Sequence, residues 1–271
     1  LGIATLSIAT TCLIFFTDFG GDSEFGWGHW GTWSWGIGFV VAVGAFILAE
    51  SRAADPIIPL SLFTNPIFVN ATAIGMTIGI GMFAAIGFVP TFLQMSSGTS
   101  AAASGLLMIP MMVGMLVTSI TSGILVSKSG RYRIFPMVGT LITAGAMLAM
   151  TTLAATTPIW LICVYLFFFG AGLGLIMQII VLVVQNAVPA TEVGTATSTN
   201  NYFREVGASL GVAIFGVMFT TRLSENLLRV FTDAGADPTA AGQATSTLDP
   251  ATLATLPPDV RDGIVSAYVQ A

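Results

Sequence analysis

Four stretches of this chain hold no charged residue over about twenty or more consecutive positions: Phe68–Gln94, Ala101–Ser127, Ile134–Ala154 and Ile159–Gln185. A helix rises about 1.5 Å per residue, so each is long enough to cross a hydrocarbon layer of about 30 Å. Inside lipid every backbone polar group needs an internal partner, and a helix supplies one within the segment. The chain is therefore expected to fold as an all-α polytopic membrane protein. Leu1–Thr17 and Trp35–Ala49 read as two earlier spans. Val206–Thr221 reads as a seventh, with a helix that begins near Gly194 and carries Arg204 and Glu205 inside it.

Composition agrees. Charged residues make up 8% of the chain, against about 25% in an average soluble domain, and a water-facing surface cannot be built from so few. The five excess negative charges lie mostly in loops and do not point to a basic partner. Eight Lys and Arg residues scattered along the chain make no basic face, which excludes nucleic-acid binding. Cys12 and Cys163 fall inside apolar runs and read as small hydrophobes. No metal-ligand spacing occurs, so no metal or other cofactor is expected. No His and Asp accompany a nucleophile in a shared pocket, which argues against an enzyme.

The segments between the runs punctuate the fold. The first loop holds Asp18, Asp22 and Glu24, then Trp27, Trp30, Trp33 and Trp35, a pattern suited to the headgroup level. Asp55–Pro66 contains Pro56, Pro59 and Pro66 and reads as a connector rather than a continuous helix. Ser96–Ser100, with Gly98, and Thr156–Pro158 are turns. Ser224–Pro258 is polar and reads as a long, partly mobile loop. Leu1 already lies within an apolar run, and Val260–Ala271 resembles the opening of a further span. The expectation is a piece of a longer protein, cut at both ends. Arg52, the group Lys128, Arg131 and Arg133, and Arg204 occupy alternate connections, while the short connections between them hold no Lys or Arg. The positive-inside rule puts the first set in the cytoplasm.

Polar residues within spans need a partner or a cavity. Gln94, Gln185 and Asn186 sit near span ends. Gln178 lies deepest and is the candidate for a side chain facing a cavity, with an interhelical hydrogen bond as the rival role. Arg204 and Glu205 are adjacent and are expected not to pair, with Arg204 reaching for the cytoplasmic surface. His29 reads as a surface residue. Met108, Met111, Met112 and Met115 suit core filling or an adaptable surface. Gly170-Ala171-Gly172-Leu173-Gly174 lacks the preceding strand of a dinucleotide site. Gly170 with Gly174, Gly75 with Gly79, and Gly207 with Gly211 instead have the spacing that brings membrane helices close together.

Gly123-Ile-Leu125-Val-Ser127-Lys128-Ser-Gly130-Arg131-Tyr-Arg133 resembles the cytoplasmic loop signature of the major facilitator superfamily, with Ser127 where the signature usually has Asp. Glu50 to Phe63 resembles the linker after the eighth span of the fourteen-span drug:proton antiporters, and Pro90 to Pro110 the next hairpin. Gln185, Asn186, Pro189, Gly194, Asn201, Arg204, Gly207 and Gly211 resemble the cytoplasmic start of the penultimate span.

The resemblance implies the C-terminal half of that fold plus the two extra linker helices, truncated at both ends. Residues 1–66 would hold the extra pair and connector, 67–222 a five-helix bundle, 223–258 an extracytoplasmic loop, and 259–271 the start of a last span. It further implies proton-coupled efflux of drugs or amphipathic small molecules across a bacterial plasma membrane. The partners would be the lipid bilayer, protons, a hydrophobic or cationic substrate, and the missing N-terminal half, without which this piece should not transport. Phe83, Met112 and Gln178 are the candidates for lining the substrate cavity, and Arg131 and Arg133 for fixing the loop at the headgroups. A nutrient uniporter or symporter of the same architecture and a non-transporting membrane scaffold are the alternatives.

Overall fold

The structure is a computed structural model and describes residues 1–21, 26–53, 56–97, 99–154, 157–233 and 263–267. The described elements are α1 (Gly2–Gly21), α2 (Trp30–Ser51), a 3-10 turn (Leu60–Thr64), α3 (Pro66–Ser97), α4 (Ala101–Leu106), α5 (Ile109–Ser129), α6 (Ile134–Met150), α7 (Ile159–Asn186) and α8 (Val193–Asp233), with 263–267 also helical. Six stretches are long and apolar enough to cross a membrane: Gly2–Gly20, Trp30–Ser51, Pro66–Met95, Ala101–Ser129, Ile159–Asn186 and Val193–Val230. The expected span over Ile134–Ala154 is shorter: α6 stops at Met150 after 17 residues, at the lower limit for crossing.

Two further boundaries differ from expectation. Ala101–Ser127 is not one helix, because Pro110 has no N–H to donate to the turn before it. The chain therefore breaks at Leu107 and Met108 and restarts with Pro110 in the first turn of α5. At the other end, α8 continues through Ser224–Asp233, ten residues assigned above to the polar loop. Apolar Leu223 and Leu227, spaced one turn apart on one face, are fully buried and keep the helix going. The rest of that loop, 234–258, lies outside the described residues, as do Asp22, Glu24, Asp55, Gly98 and Thr156.

Chain contacts divide the molecule into two units. Unit 1 comprises Leu1–Ala84 and Ile179–Val217; unit 2 comprises Ala85–Gln178 and Met218–Ala271.

In unit 1, α1 and α2 form a hairpin cemented by aromatic rings. Phe15 lies 4.9 Å from Trp35, and Phe16 meets Trp27 and Trp33 edge-on. Trp33 Nε1 donates to the carbonyl of Trp27 at 2.9 Å. His29, read above as a plain surface residue, caps α2: its Nδ1 accepts the Gly31 N–H at 3.1 Å. The connector is pinned by Glu50, which is 4% exposed and accepts the Ile58 N–H at 3.2 Å. Pro66 opens α3, where its missing N–H costs nothing. Asn65 caps it, accepting from Ile67 N at 2.9 Å while its amide donates to the Ala187 carbonyl at 2.8 Å. Further along, α3 packs on α8 with almost no side chain between. A Cβ at Gly207 or Gly211 would overlap the carbonyls of Met76 and Ile80, and one at Gly79 would overlap the carbonyl of Arg204. Gly75 instead faces the side chain of Asn200, whose amide donates to Thr72 Oγ1 at 3.3 Å. Tyr202 ties α8 to α1 through a 2.9 Å hydroxyl contact with Thr10.

In unit 2, α7 is held between α5 and α6. Gly170 and Gly174 press on the carbonyls of Met111 and Met115 of α5, and Gly114 of α5 on that of Phe167. Two turns of α7 thus meet α5 at backbone distance. From the other flank, Gly172 meets Gly139 and Thr143 of α6. Outward-facing positions such as Leu116, Leu141 and Leu148 are well exposed, as lipid contact requires.

Candidate substrate groove

The groove begins where the tight contact between α5 and α7 ends. Thr118 Oγ1 donates to the Ala171 carbonyl at 2.8 Å, and Ser119 Oγ to the Gly174 carbonyl at 3.1 Å. One turn beyond Gly174 stands Gln178, opposite Gly123. A Cβ added at Gly123 would lie 3.7 Å from Gln178 Nε2, an ordinary contact. The exposed amide of Gln178 therefore faces a strip of α5 with little side chain in its way.

Residues four apart share a helix face, and two such rows of α5 line this space. One is small and polar: Ser119, Gly123, Ser127. The other is Ile120, Ile124, Lys128. With Gln178 they bound an open groove of about 460 Å³. Ile120 and Ile124 are 60% and 50% exposed, so the apolar side is available to a ligand. The Ser127 hydroxyl is committed to the Gly123 carbonyl at 3.0 Å. The Gln178 amide and the Lys128 ammonium are the donors that remain. Among the described residues, no carboxylate lines the groove.

The structure brings three of the sequence candidates, Gly123, Lys128 and Gln178, into this one groove. The others are elsewhere. Met112 lies on α5, 58% exposed and outside the groove lining. Phe83 is half-buried on α3 within unit 1. Leu125 is 52% exposed, one residue round the helix from Ile124. Gly130 ends α5 in the left-handed conformation at φ 66°, its N–H bonded to the Val126 carbonyl at 2.8 Å. It turns the chain so that Arg131 and Arg133 follow as exposed side chains.

In unit 1, Gln185 and Asn186 close α7, and the Pro189 carbonyl accepts the Glu192 N–H at 2.9 Å in the turn before α8. Arg204 does pair with Glu205, at 3.1 Å, contrary to the expectation from their adjacency. Both side chains are long enough to reach round the helix from neighbouring positions. Arg204 also donates to Asn201 Oδ1 at 3.2 Å, while its Nε is buried without a partner.

Ser119, Ile120, Ile124 and Ser127 were missed as lining residues. The signal was present in the i, i+4, i+8 spacing of Ser119, Gly123 and Ser127. Among the described residues, no three His, Cys, Asp or Glu side chains lie close enough to share a metal ion.

The profile described as Major Facilitator Superfamily matches residues 23–212. An uncharacterised MFS-type transporter of Mycobacterium tuberculosis is 41% identical over 100% of this chain and 38% of its own length. The multidrug transporter protein MdtP of Bacillus subtilis is 37% identical over 84% of this chain and 41% of its own. A tetracycline resistance determinant of Streptomyces rimosus is 37% identical over 71% of this chain and 58% of its own. The chain thus spans between 38% and 58% of the length of these relatives. With its apolar helices and a match over well more than half its residues, this multi-pass protein of the bacterial plasma membrane belongs to the major facilitator superfamily.

Proposed function

We propose that the full-length protein exports amphipathic small molecules across the cell membrane in exchange for protons, and that this chain contributes the helices of one half of the transporter. In this assignment residues 1–66 are an added helical pair with its connector, and 67–222 are the bundle that meets the missing N-terminal half. The extracytoplasmic loop then starts only after Asp233, and 259–271 open a last span.

The observation that carries this reading is the groove beside Gln178. A glutamine amide and a lysine stand against two exposed isoleucines on one face of a helix pair that is otherwise sealed backbone to backbone. A polar side chain at that depth has a cost unless a cavity or ligand meets it. An amphipathic molecule satisfies both sides of the groove at once. Relatives named as a multidrug transporter and a tetracycline resistance determinant support the same class of cargo. Phe83 and Met112 are proposed as further substrate contacts, brought into play when both halves are present.

The test is accumulation of an amphipathic dye in cells that lack their own exporters and express the full-length gene. Lower accumulation in energised cells, abolished by a protonophore, is the expected result. Equal accumulation with and without the gene would remove the export reading. Inward flux in vesicles under an imposed pH gradient would favour a nutrient carrier instead.

A further inference from the structure

We propose that the groove beside Gln178 selects amphiphiles with an anionic end, a carboxylate or phosphate, rather than cations; this rests on the transport reading and names its substrate class.

Charge supplies the first argument. No Asp or Glu occurs between Asp55 and Glu192, so α3 to α7 offer a cation nothing to pair with. Lys128 stands at one end of the groove lining, with Arg131 and Arg133 just beyond it. Among the described residues the ion pair is Arg204 with Glu205, so these three cations hold no carboxylate.

Geometry supplies the second. From Ile120 to Lys128 the helix rises about 12 Å. That spacing sets a charged end at Lys128 while a chain or ring lies along Ile124 and Ile120. Gln178 offers N–H donors one helix away, and a carboxylate or phosphate accepts from amide and ammonium alike.

Lys128 has a competing role, since a lysine in the last turn of a helix complements the dipole of that end. A lysine doing only that would not discriminate between ligands by charge.

The experiment uses the full-length protein in phosphatidylcholine discs and two probes of equal apolar size, 11-(dansylamino)undecanoate and N-dansyl-1,11-diaminoundecane, whose free amine is protonated. Binding is read from dansyl fluorescence against empty discs. The wild type is expected to favour the carboxylate. Lys128→Gln should weaken that probe by about threefold to fivefold and leave the amine unweakened, as expected for loss of one exposed ion pair. Lys128→Arg should restore the preference, and Lys128→Glu should reverse it. Equal weakening of both probes, or no change in either, overturns the proposal. So does an identical effect from Arg131→Gln, which would show diffuse surface charge instead.

Phosphatidylglycerol displacing the probe as well as unlabelled undecanoate does would assign the groove to a resident lipid, and the substrate assignment falls. Preferential binding of the carboxylate without export of either probe from cells would overturn the transport reading while charge selection stands.

Discussion

Gly170 of α7 lies against the carbonyl of Met111 on α5, closer than any Cβ could approach. The carbonyl belongs to a helix backbone and has no rotamer through which to yield. Gly170→Ala is therefore expected to push the two helices apart, at a cost of about 1–3 kcal/mol. Gly145 of α6 has open space where its Cβ would be, so Gly145→Ala should change stability by about 0.5 kcal/mol or less. Thermal unfolding of the two purified variants, compared at equal detergent, checks the contrast. Equal midpoints would show that close approach at Gly170 carries no stability.

Glu50 accepts the Ile58 N–H and so holds the connector to the end of α2. Glu50→Ala leaves that amide without its acceptor, a cost of about 1–3 kcal/mol. Glu50→Gln keeps an acceptor oxygen of the same reach. Limited proteolysis should cut near 53–59 faster in the alanine variant than in the glutamine variant. Matching cleavage rates would make Glu50 irrelevant to the connector.

Asn200 and Thr72 form a buried side-chain hydrogen bond between α8 and α3. Hydrogen bonds between membrane helices couple by about 0.6 kcal/mol on average. A double-mutant cycle with Asn200→Ala and Thr72→Ala should return a coupling of that size and favourable sign. Strict additivity would show that the contact contributes no pairwise energy.

Gln178→Ala removes the groove's amide while leaving the α7 backbone in place. Export of amphipathic dyes by the full-length protein should fall by about twofold to tenfold at unchanged expression, the range for losing one polar contact. Normal export of every dye would take Gln178 out of the substrate path.

Much of this was legible in the residue pattern for physical reasons. Lipid allows few ways to satisfy a backbone, so the uncharged runs announce their helices, and Gly170, Gly174, Gly207 and Gly211 announce close packing through their spacing. The break at Leu107 was within reach too, since Pro110 is in plain view, but an unbroken apolar run masks it. The pairing of Arg204 with Glu205 was not legible, because helical-face reasoning ignores how far two long side chains bend. Gln178 stood out as the amide set deepest in an uncharged run. Ser119 and Ser127 did not, because a serine in an apolar helix ordinarily bonds its own backbone, as Ser127 does with Gly123. Only the position of α7 shows that the same row also borders open space.

The grip on α7 from both flanks limits how this part of the protein can move. Between α5, α7 and α6 there is little side chain to reshuffle, since glycines meet main chain on either side, with Thr143 and Ile176 filling in on the α6 flank. Such a trio travels as one block. Pro90 sits inside an α3 that runs unbroken, whereas the chain ahead of α5 is interrupted at Leu107–Met108, outside the groove lining. A change in the angle of the block falls to that interruption, so bridging it would hold the block still without touching the groove.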